Sequence, residues 1–318
     1  MNKINKPIAS LSLDLDNLWS YLKVHGDPNW QSFPSYLDLV VPRILDFLDR
    51  HNLKITFFIV GQDAALDKNR DSLNAIASAG HEIGNHSFHH NSWLHLFSEE
   101  EIKQEIILAE KHIESVTGQH PLGFRGPGYS FSPEVLRVLL KRGYQYDAST
   151  FPTFLGPLAR AYYLMTTKLS PEERAQRQNL FGKFKDGFQP LKPYQWEMGQ
   201  LLEIPVTTLP IFKFPIHFTY ILYMSSLAKV LGISYFQFAL KLCRINKIEP
   251  SLVLHPTDFL DNKDAPVLSF FPGMKLPFNS KLAILNQALQ LLSKNFTILS
   301  VGGHAKQLIN QSLPILLA

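Results

Sequence analysis

The chain lacks cysteine pairs, long apolar runs and strongly basic stretches. Its single cysteine, Cys243, excludes an internal disulfide and is typical of a protein in a reducing compartment. The longest uncharged run, 214–228, contains Pro215 and is too short to span a bilayer. No five basic residues follow one another, so nothing in the sequence indicates nucleic-acid binding.

The composition is that of a folded protein. Of the 318 residues, 45% are hydrophobic and 18% are charged, and the formal net charge is +4. These proportions support a full core and argue against disorder. Because α/β barrels commonly reach this length as one domain, we expect a single domain over 1–318.

The amino-terminal residues bear on the location of the protein. The segment 1–7 is short and polar, and a predicted apolar strand, 8–13, follows it directly. A secretion signal has a longer apolar stretch and a small-residue cleavage site. Cleavage at the usual positions would also remove Asp14 and Asp16. We therefore expect a cytoplasmic protein.

Strand-like and helix-like segments alternate along the chain, which is typical of an α/β layer fold or barrel. The predicted strands are 8–13, 54–60, 82–84, 201–206, 251–254 and 296–301, and the predicted helices are 36–52, 72–79, 98–117, 132–143, 220–231, 235–246 and 280–293. Ser98 and Glu101 form a capping box at one helix start. Pro42 should bend the first helix or mark its true start.

Residues 153–200 follow a looser pattern with proline, glycine and mixed charge. We interpret this segment as an insertion, with some helix around 171–178, that covers the mouth of the barrel. The polar clusters of the chain fall at strand ends just before helices, where barrel enzymes keep their catalytic groups.

Two polar clusters have the spacing of a metal site. Asp14 and Asp16 lie two apart on a predicted strand, so both carboxylates leave the same face, although alone they could equally be caps or turn residues. His86 and His90 are four apart, within metal-ligand reach of each other in a helical turn or a tight loop. Hydrolytic metal sites commonly use three protein ligands and keep a position for water. Asp16, His86 and His90 would supply these three ligands, and Asp14 would remain available as a base.

Three further residues fit such a site. Arg125 precedes a rigid Gly-Pro-Gly turn and would hold Asp14 in place, although by itself it is typical of a solvated loop. His255 ends an apolar strand, where a lone histidine is more often structural. Asp147 would hydrogen-bond the ring of His255 and make it a general acid. This last pairing is a hypothesis that sequence spacing does not establish.

At these residues the sequence resembles the polysaccharide deacetylases, carbohydrate esterase family four. The most specific match is the His-Ser-x-x-His motif at 86–90, and the predicted strands 56–61 and 202–205 are also similar to those of the family. The resemblance covers about 8–150 and 201–301, which is most of the chain outside the insertion.

The resemblance implies a distorted (β/α) barrel and removal of an N-acetyl group from an amino sugar. It implies a divalent metal, usually zinc, held by Asp16, His86 and His90. The other implied roles are Asp14 as base, Arg125 as its tether, His255 as acid, Asp147 as the residue that tunes His255, and the backbone N–H of Tyr129 as an oxyanion donor.

One motif departs from the family pattern. The family usually has adjacent aspartates followed by glycine, whereas here Leu15 separates the two aspartates and Asn17 follows. This departure, together with the polar amino terminus, argues against the usual polymeric substrates outside the cell.

A further feature concerns the substrate. Between 204 and 248 there is no Asp or Glu, while lysines, an arginine and several aromatic residues are present. This segment is consistent with ordinary helices that pack on the barrel. It would also suit a segment that lies on a membrane surface or grips a lipid-phosphate carrier, and from this we hypothesise a lipid-linked amino-sugar substrate.

Other classes of protein remain open from the residues alone. The nearest is a cytoplasmic hydrolase of a small amide, formamide or ureide on the same fold. Two others are a two-His-one-carboxylate iron oxygenase, which would not require Asp14, Arg125 or His255, and a metal-bearing but inactive binding protein.

Overall fold

Ten strands of the described chain form one curled sheet that makes an incomplete barrel. They are β1 (Ile8–Asp14), β2 (Thr56–Ile59), β3 (Glu82–Asn85), β4 (Gly123–Phe124), β5 (Tyr146–Asp147), β6 (Tyr194–Trp196), β7 (Leu202–Glu203), β8 (Ser251–Leu254), β9 (Thr297–Leu299) and β10 (Ile315–Leu316). Their order is β10-β6-β7-β5-β4-β3-β2-β1-β8, with β9 paired to β1, and every pair is parallel except β6 with β7. The computed structural model describes residues 6–167, 169–177, 180, 182–199, 201–271 and 273–317.

Helices connect and flank these strands. In the described ranges they are α1 (Leu18–His25), α2 (Leu37–Arg50), α3 (Gly61–Ala64), α4 (Arg70–Ser78), α5 (Glu99–Thr117), α6 (Pro133–Lys141), α7 (Gly156–Thr166), α8 (Pro171–Gln176), α9 (Phe218–Leu227), α10 (Lys229–Ile245), α11 (Phe278–Asn295) and α12 (Val301–Leu308). The alternation of parallel strands and helices confirms the predicted distorted (β/α) barrel. No described helix is long and apolar enough to traverse a membrane.

The parallel strands bring the predicted site residues to one end of the barrel. Asp14 ends β1, His86 follows β3 and Arg125 follows β4. Asp147 ends β5 and His255 follows β8. Because the carboxyl ends of parallel strands meet at one edge of a sheet, five segments far apart in sequence converge there.

Two helix predictions needed correction. The helix α2 begins at Leu37 and continues through Pro42, because its buried face, which includes Val41, Ile44 and Phe47, packs on the sheet. The predicted break between 231 and 235 lies instead at Ala228, whose backbone is extended. Gly232 is inside α10, where an added Cβ would lie 2.1 Å from Ser225 Oγ, so this glycine permits close packing of α9 on α10.

The predicted insertion contains part of the sheet. The strand β6 pairs with β7, so only the residues before it, with α7 and α8, lie outside the barrel strands. The predicted helix around 171–178 is present as α8. Gln178, at the end of that prediction, and Gln200, at the end of the predicted insertion, lie outside the described residues. The single-domain organisation stays a prediction.

The amino-terminal cap of α5 is built as the sequence predicts. The Ser98 side chain accepts a hydrogen bond from the backbone N–H of Glu101, and the Glu101 carboxylate accepts from the Ser98 N–H at 2.8 Å. The helix ends at Gly118, which has φ +68°. Both ends of this helix therefore follow from local sequence alone.

We expect Ser98→Ala to lower the free energy of unfolding by about 1 kcal/mol, because the N–H of Glu101 loses its acceptor. Urea titration followed by circular dichroism measures the change. Ser98→Thr keeps the hydroxyl and serves as the control; an equal loss in both variants would contradict the capping role.

Candidate metal centre and hydrolytic site

Three metal-ligating side chains from two loops converge at the carboxyl ends of the strands. One donor atom from each of Asp16, His86 and His90 lies within 4.8 Å of the others. The Asp16 Oδ1 atom is 2.9 Å from His90 Nε2 and 3.4 Å from His86 Nε2. All three side chains are buried or nearly so. The structure thus brings together the residues that sequence spacing selected.

The loop that carries the two histidines is shaped by local hydrogen bonds. Ser87 and His90 have positive φ angles of 59° and 51°, which turn the chain tightly between the two rings. The Glu105 carboxylate accepts hydrogen bonds from the backbone N–H of His89 at 2.9 Å and also contacts the His89 ring. His89 is therefore turned away from the cluster, while the two flanking histidines face it.

The loop that carries Asp16 is held by its neighbours. The Tyr36 hydroxyl donates to the Asp16 carbonyl at 2.5 Å. Asn17 caps α1 through its side-chain oxygen and donates to the Asp63 carboxylate at 2.7 Å. These contacts fix the backbone at the position from which the Asp16 carboxylate enters the site. The helix α1 is not among the helices that the sequence predicts.

The donor set fits a divalent metal such as zinc. The His86 Nδ1 atom is 2.6 Å from the Arg125 carbonyl, so Nδ1 carries the proton and the lone pair of Nε2 points toward Asp16. Burial by itself would raise the pKa of Asp16, but the charges and hydrogen bonds of His90 and His86 hold it well below its usual range. An ionised carboxylate with two imidazole nitrogens matches the ligands that zinc prefers.

Asp14 lies beside this cluster and is held by Arg125. The Arg125 Nη1 atom donates to Asp14 Oδ1 at 2.7 Å and to Ser12 Oγ at 2.7 Å. The Arg125 Nε atom donates to the carbonyl of Ala148 at 2.9 Å. Arg125 has no exposed surface, so the predicted tether is a buried ion pair. This leaves the second carboxylate oxygen of Asp14 outside the ion pair.

His255 is supported by Thr219 and Asp258. The Nδ1 atom of His255 lies 3.1 Å from Thr219 Oγ1, and that hydroxyl donates to Asp258 Oδ1 at 2.9 Å. The other oxygen of Asp258 accepts from the backbone N–H of His255 at 2.9 Å. Because the Thr219 hydroxyl donates to Asp258, its oxygen accepts a hydrogen bond from the Nδ1–H group of His255. These hydrogen bonds link His255 to the Asp258 carboxylate and leave Nε2 as the atom that exchanges a proton. The Asp258 carboxyl, three residues after His255, is the signal that sequence reasoning overlooked.

The predicted pairing of Asp147 with His255 is wrong. Among the described residues, the hydrogen bond to the Asp147 carboxylate comes from Ser149, at 2.5 Å, and Asp147 stands opposite Glu203 between β5 and β7. Burial, and then the charge of Glu203, raises the pKa of Asp147 well above its usual value. Asp147 is thus engaged with Ser149 and Glu203 between β5 and β7 and does not orient the ring of His255.

The predicted oxyanion donor is also corrected. The backbone N–H of Tyr129 donates to the Gly126 carbonyl at 2.9 Å, within the turn that follows Arg125. It is therefore already engaged. The Tyr129 ring, by contrast, lines the site, and its buried hydroxyl has no hydrogen-bond partner among the described residues. Burial and the charge of Asp14 raise the pKa of this hydroxyl, which keeps it protonated and able to donate.

A cavity of about 380 Å³ opens onto the candidate metal centre and His255. Asp16 and His255 are on its wall, and most of the rest is aromatic or apolar: Tyr21, Tyr129, Phe131, Phe151, Tyr220, Tyr223 and Phe271. Segment 153–189 contributes Thr153, Leu155, Gly156, Ala159, Gly182, Asp186 and Gln189, which supports the expectation that the insertion covers the barrel mouth.

His217 lines the cavity and is not among the predicted site residues. Its ring centroid is 5.6 Å from that of His255, and its buried Nδ1 atom has no hydrogen-bond partner in the described part of the chain. Burial, and then the charges of His255 and Arg125, lowers the pKa of His217 well below its usual value. The ring is therefore neutral and cannot compete with His255 as a proton donor.

Fold and site together define a (β/α)-barrel protein with a buried centre of two histidines and one aspartate. Residues 30–146 match the family model for polysaccharide deacetylase. A peptidoglycan-N-acetylglucosamine deacetylase of Bacillus cereus is 38% identical over 86 residues, which cover 27% of this chain and 30% of that protein. A peptidoglycan deacetylase of Helicobacter pylori is 28% identical over 109 residues, 34% of this chain and 36% of that one.

A structural neighbour agrees with these matches. A crystal structure assigned to a polysaccharide deacetylase of Mycobacterium smegmatis aligns with a TM-score of 0.65 and 20% identity, over 100% of this chain and 96% of that chain. At this identity the likeness shows a shared fold. Residues 30–146 of this chain are thus similar to the polysaccharide deacetylase family. The chain spans only about a third of the length of the two curated relatives it matches.

We expect His86→Ala to weaken zinc binding by about 100-fold or more, since one of three ligands is lost. Competition titration against a zinc chelator measures the affinity. His89→Ala changes the same loop but not the cluster and should bind zinc like the wild type. Equal weakening in both variants would show that the loop, not the ligand, is responsible.

Proposed function

We propose that the protein is a metal-dependent hydrolase that removes an N-acyl group, in the first place N-acetyl, from an amino sugar. The observation that carries the proposal is the Asp14 carboxylate, held by buried Arg125 beside the cluster of Asp16, His86 and His90. The relatives bear the names of peptidoglycan deacetylases, two of which specify N-acetylglucosamine or N-acetylmuramic acid. These names support an N-acetylated amino sugar as the substrate class.

Amide hydrolysis requires one group that accepts a proton and another that donates one, and two different residues of the site would fill these roles. A divalent metal bound by Asp16, His86 and His90 would polarise the acyl carbonyl and acidify a bound water. Asp14, fixed by Arg125, accepts the proton of the attacking water as its oxygen bonds to the acyl carbon. His255 gives its Nε2 proton to the sugar nitrogen as the carbon–nitrogen bond breaks. Acetic acid and the neutral amine leave, and the proton on Asp14 returns to His255 through solvent, so that atoms and charge balance.

The Tyr129 hydroxyl would act as the oxyanion donor, because the backbone N–H of Tyr129 already donates to the Gly126 carbonyl. It is buried, protonated and inside the electrostatic field of Asp14, Arg125 and Asp16. A hydrogen bond from it would stabilise negative charge on the acyl oxygen as the carbon becomes tetrahedral.

The cavity wall supports a substrate with apolar surface. Its aromatic residues are suited to stack on sugar rings, and neutral His217 can hydrogen-bond a hydroxyl group. Together with the acid-free segment 204–248, this wall favours a lipid-linked amino sugar as the particular substrate. The cytoplasmic location stays a prediction.

We expect Asp14→Asn to lower kcat by about 10²–10⁴-fold while zinc stays bound, because the amide cannot accept the water proton. Acetate release from N-acetyl sugars presented free, nucleotide-linked and lipid-linked measures activity, with metal analysis of each preparation. Wild-type activity in the variant would contradict the role of Asp14 as base. Release of formate or ammonia only from small formamides or ureides would favour a small-amide hydrolase instead.

We expect Thr219→Val to lower kcat by about tenfold with little change in KM or metal content. The loss is expected because His255 Nδ1 loses the hydroxyl that it contacts at 3.1 Å, and with it the link to Asp258. Thr219→Ser keeps the hydroxyl and should restore kcat. An unchanged kcat in Thr219→Val would show that Thr219 only fills space.

A further inference from the structure

Exposed apolar side chains of this protein concentrate around the cavity mouth. Twenty-two large apolar side chains are exposed in the part of the chain that the structure describes. Fourteen of them belong to the segments 153–199 and 204–248. These same two segments supply most of the cavity wall outside the catalytic groups. The two segments that carry most of the exposed apolar surface are therefore also the segments that line the cavity.

One side of the mouth is an apolar projection of the insertion, here called the insertion lip (Phe184 and Phe188). The two side chains are 58% and 74% exposed. Their rings lie 4.9 and 5.1 Å from the ring of Phe154, which anchors them. The neighbouring residues Asp186 and Gln189 line the cavity, so the lip stands at its edge.

The other side is the junction of α9 and α10, here called the helical lip (Leu227, Val230 and Leu231). Tyr220, Tyr223 and Leu227 follow helical spacing on one face of α9, and they are 37%, 46% and 70% exposed. The first two line the cavity. An apolar path thus leads along one helix face from the cavity to solvent. Val230 continues it at 75% exposure.

The two sides of the mouth are joined near its base. The Nζ atom of Lys213 donates to the carbonyl of Gln189 at 2.8 Å, which connects the helical segment to the insertion. This hydrogen bond joins the segment before α9 to the end of the insertion beside the cavity, so the two lips are parts of the same cavity wall.

The charge of the rim selects one class of partner. Exposed Lys183 and Lys185 flank Phe184, and exposed Lys229 precedes Val230. No acidic residue lies between 204 and 248. A second copy of this chain, docked through the same face, would place cations against cations. An anionic phospholipid surface offers both a complementary charge and an apolar interior.

We propose that the insertion lip and the helical lip dock into the interface of an anionic bilayer, so that a lipid-linked amino sugar enters the cavity from the membrane. This inference rests on the proposed function for the nature of the substrate. The docking itself depends only on the rim. It requires no spanning helix, since interfacial contact needs only a few inserted apolar side chains and nearby cations.

Vesicle flotation tests the docking directly. The full chain, loaded with zinc, is mixed with vesicles of phosphatidylcholine alone or of phosphatidylcholine with phosphatidylglycerol, which supplies the negative surface charge. We expect binding to the anionic vesicles that weakens as salt is raised. Phe184→Ser/Phe188→Ser and Leu227→Ser/Val230→Ser should each reduce the partition coefficient by about tenfold or more.

Leu122→Ser is the matched control, because Leu122 is 40% exposed but immediately precedes β4, at the opposite end of the strands from the cavity. It should bind vesicles like the wild type. Absence of wild-type binding to anionic vesicles would overturn the proposal. A dimer, seen by light scattering and lost in the lip variants, would overturn it in favour of self-association.

Activity measurements separate this proposal from the proposed function. On a water-soluble N-acetyl sugar the lip variants should turn over like the wild type, whereas on a lipid-linked sugar in vesicles they should be about tenfold slower or worse. Vesicle binding without hydrolysis of any N-acyl sugar would leave the docking intact and refute the function. Equal rates on the lipid-linked sugar would refute the docking as a route for substrate.

Discussion

The buried guanidinium of Arg125 is the interaction on which the site depends. Removing such a charge from water costs several kcal/mol unless it is paired and hydrogen-bonded. Here it is bonded to Asp14 and Ser12 of β1 and to the carbonyl of Ala148 after β5, and it lies 4.4 Å from the centre of the Phe58 ring. Its own carbonyl orients His86. One side chain therefore ties the candidate base, one metal ligand and three strands into a single arrangement.

The two sides of the cavity differ in the charged groups that surround them. On the metal side, the imidazole rings of His90 and His86 keep the buried Asp16 carboxylate ionised, and the guanidinium of Arg125 pairs with Asp14. On the opposite side, His255 is linked through Thr219 to Asp258, while His217 is kept neutral. A candidate base and a candidate acid thus lie in separate environments, as amide hydrolysis requires.

Segments outside the barrel strands supply much of the wall and rim of the cavity. The insertion and the α9–α10 pair enclose it with aromatic side chains and extend an apolar, cationic rim into solvent. Gly232 allows the two helices to pack closely enough to form that rim. The hydrolytic groups at the strand ends are therefore combined with an apolar and cationic surface beside the cavity.

The sequence by itself determined the features that depend on short-range spacing. Ser98 with Glu101, strand β1 and the metal-ligand spacing of His86 and His90 are local patterns, and their chain order on parallel strands predicted their convergence. Only the tertiary structure decided that Asp258 rather than Asp147 supports His255, and that the hydroxyl rather than the N–H of Tyr129 faces the site. These outcomes depend on which strands and helices meet across the barrel, and on which atoms are already hydrogen-bonded, neither of which residue spacing specifies.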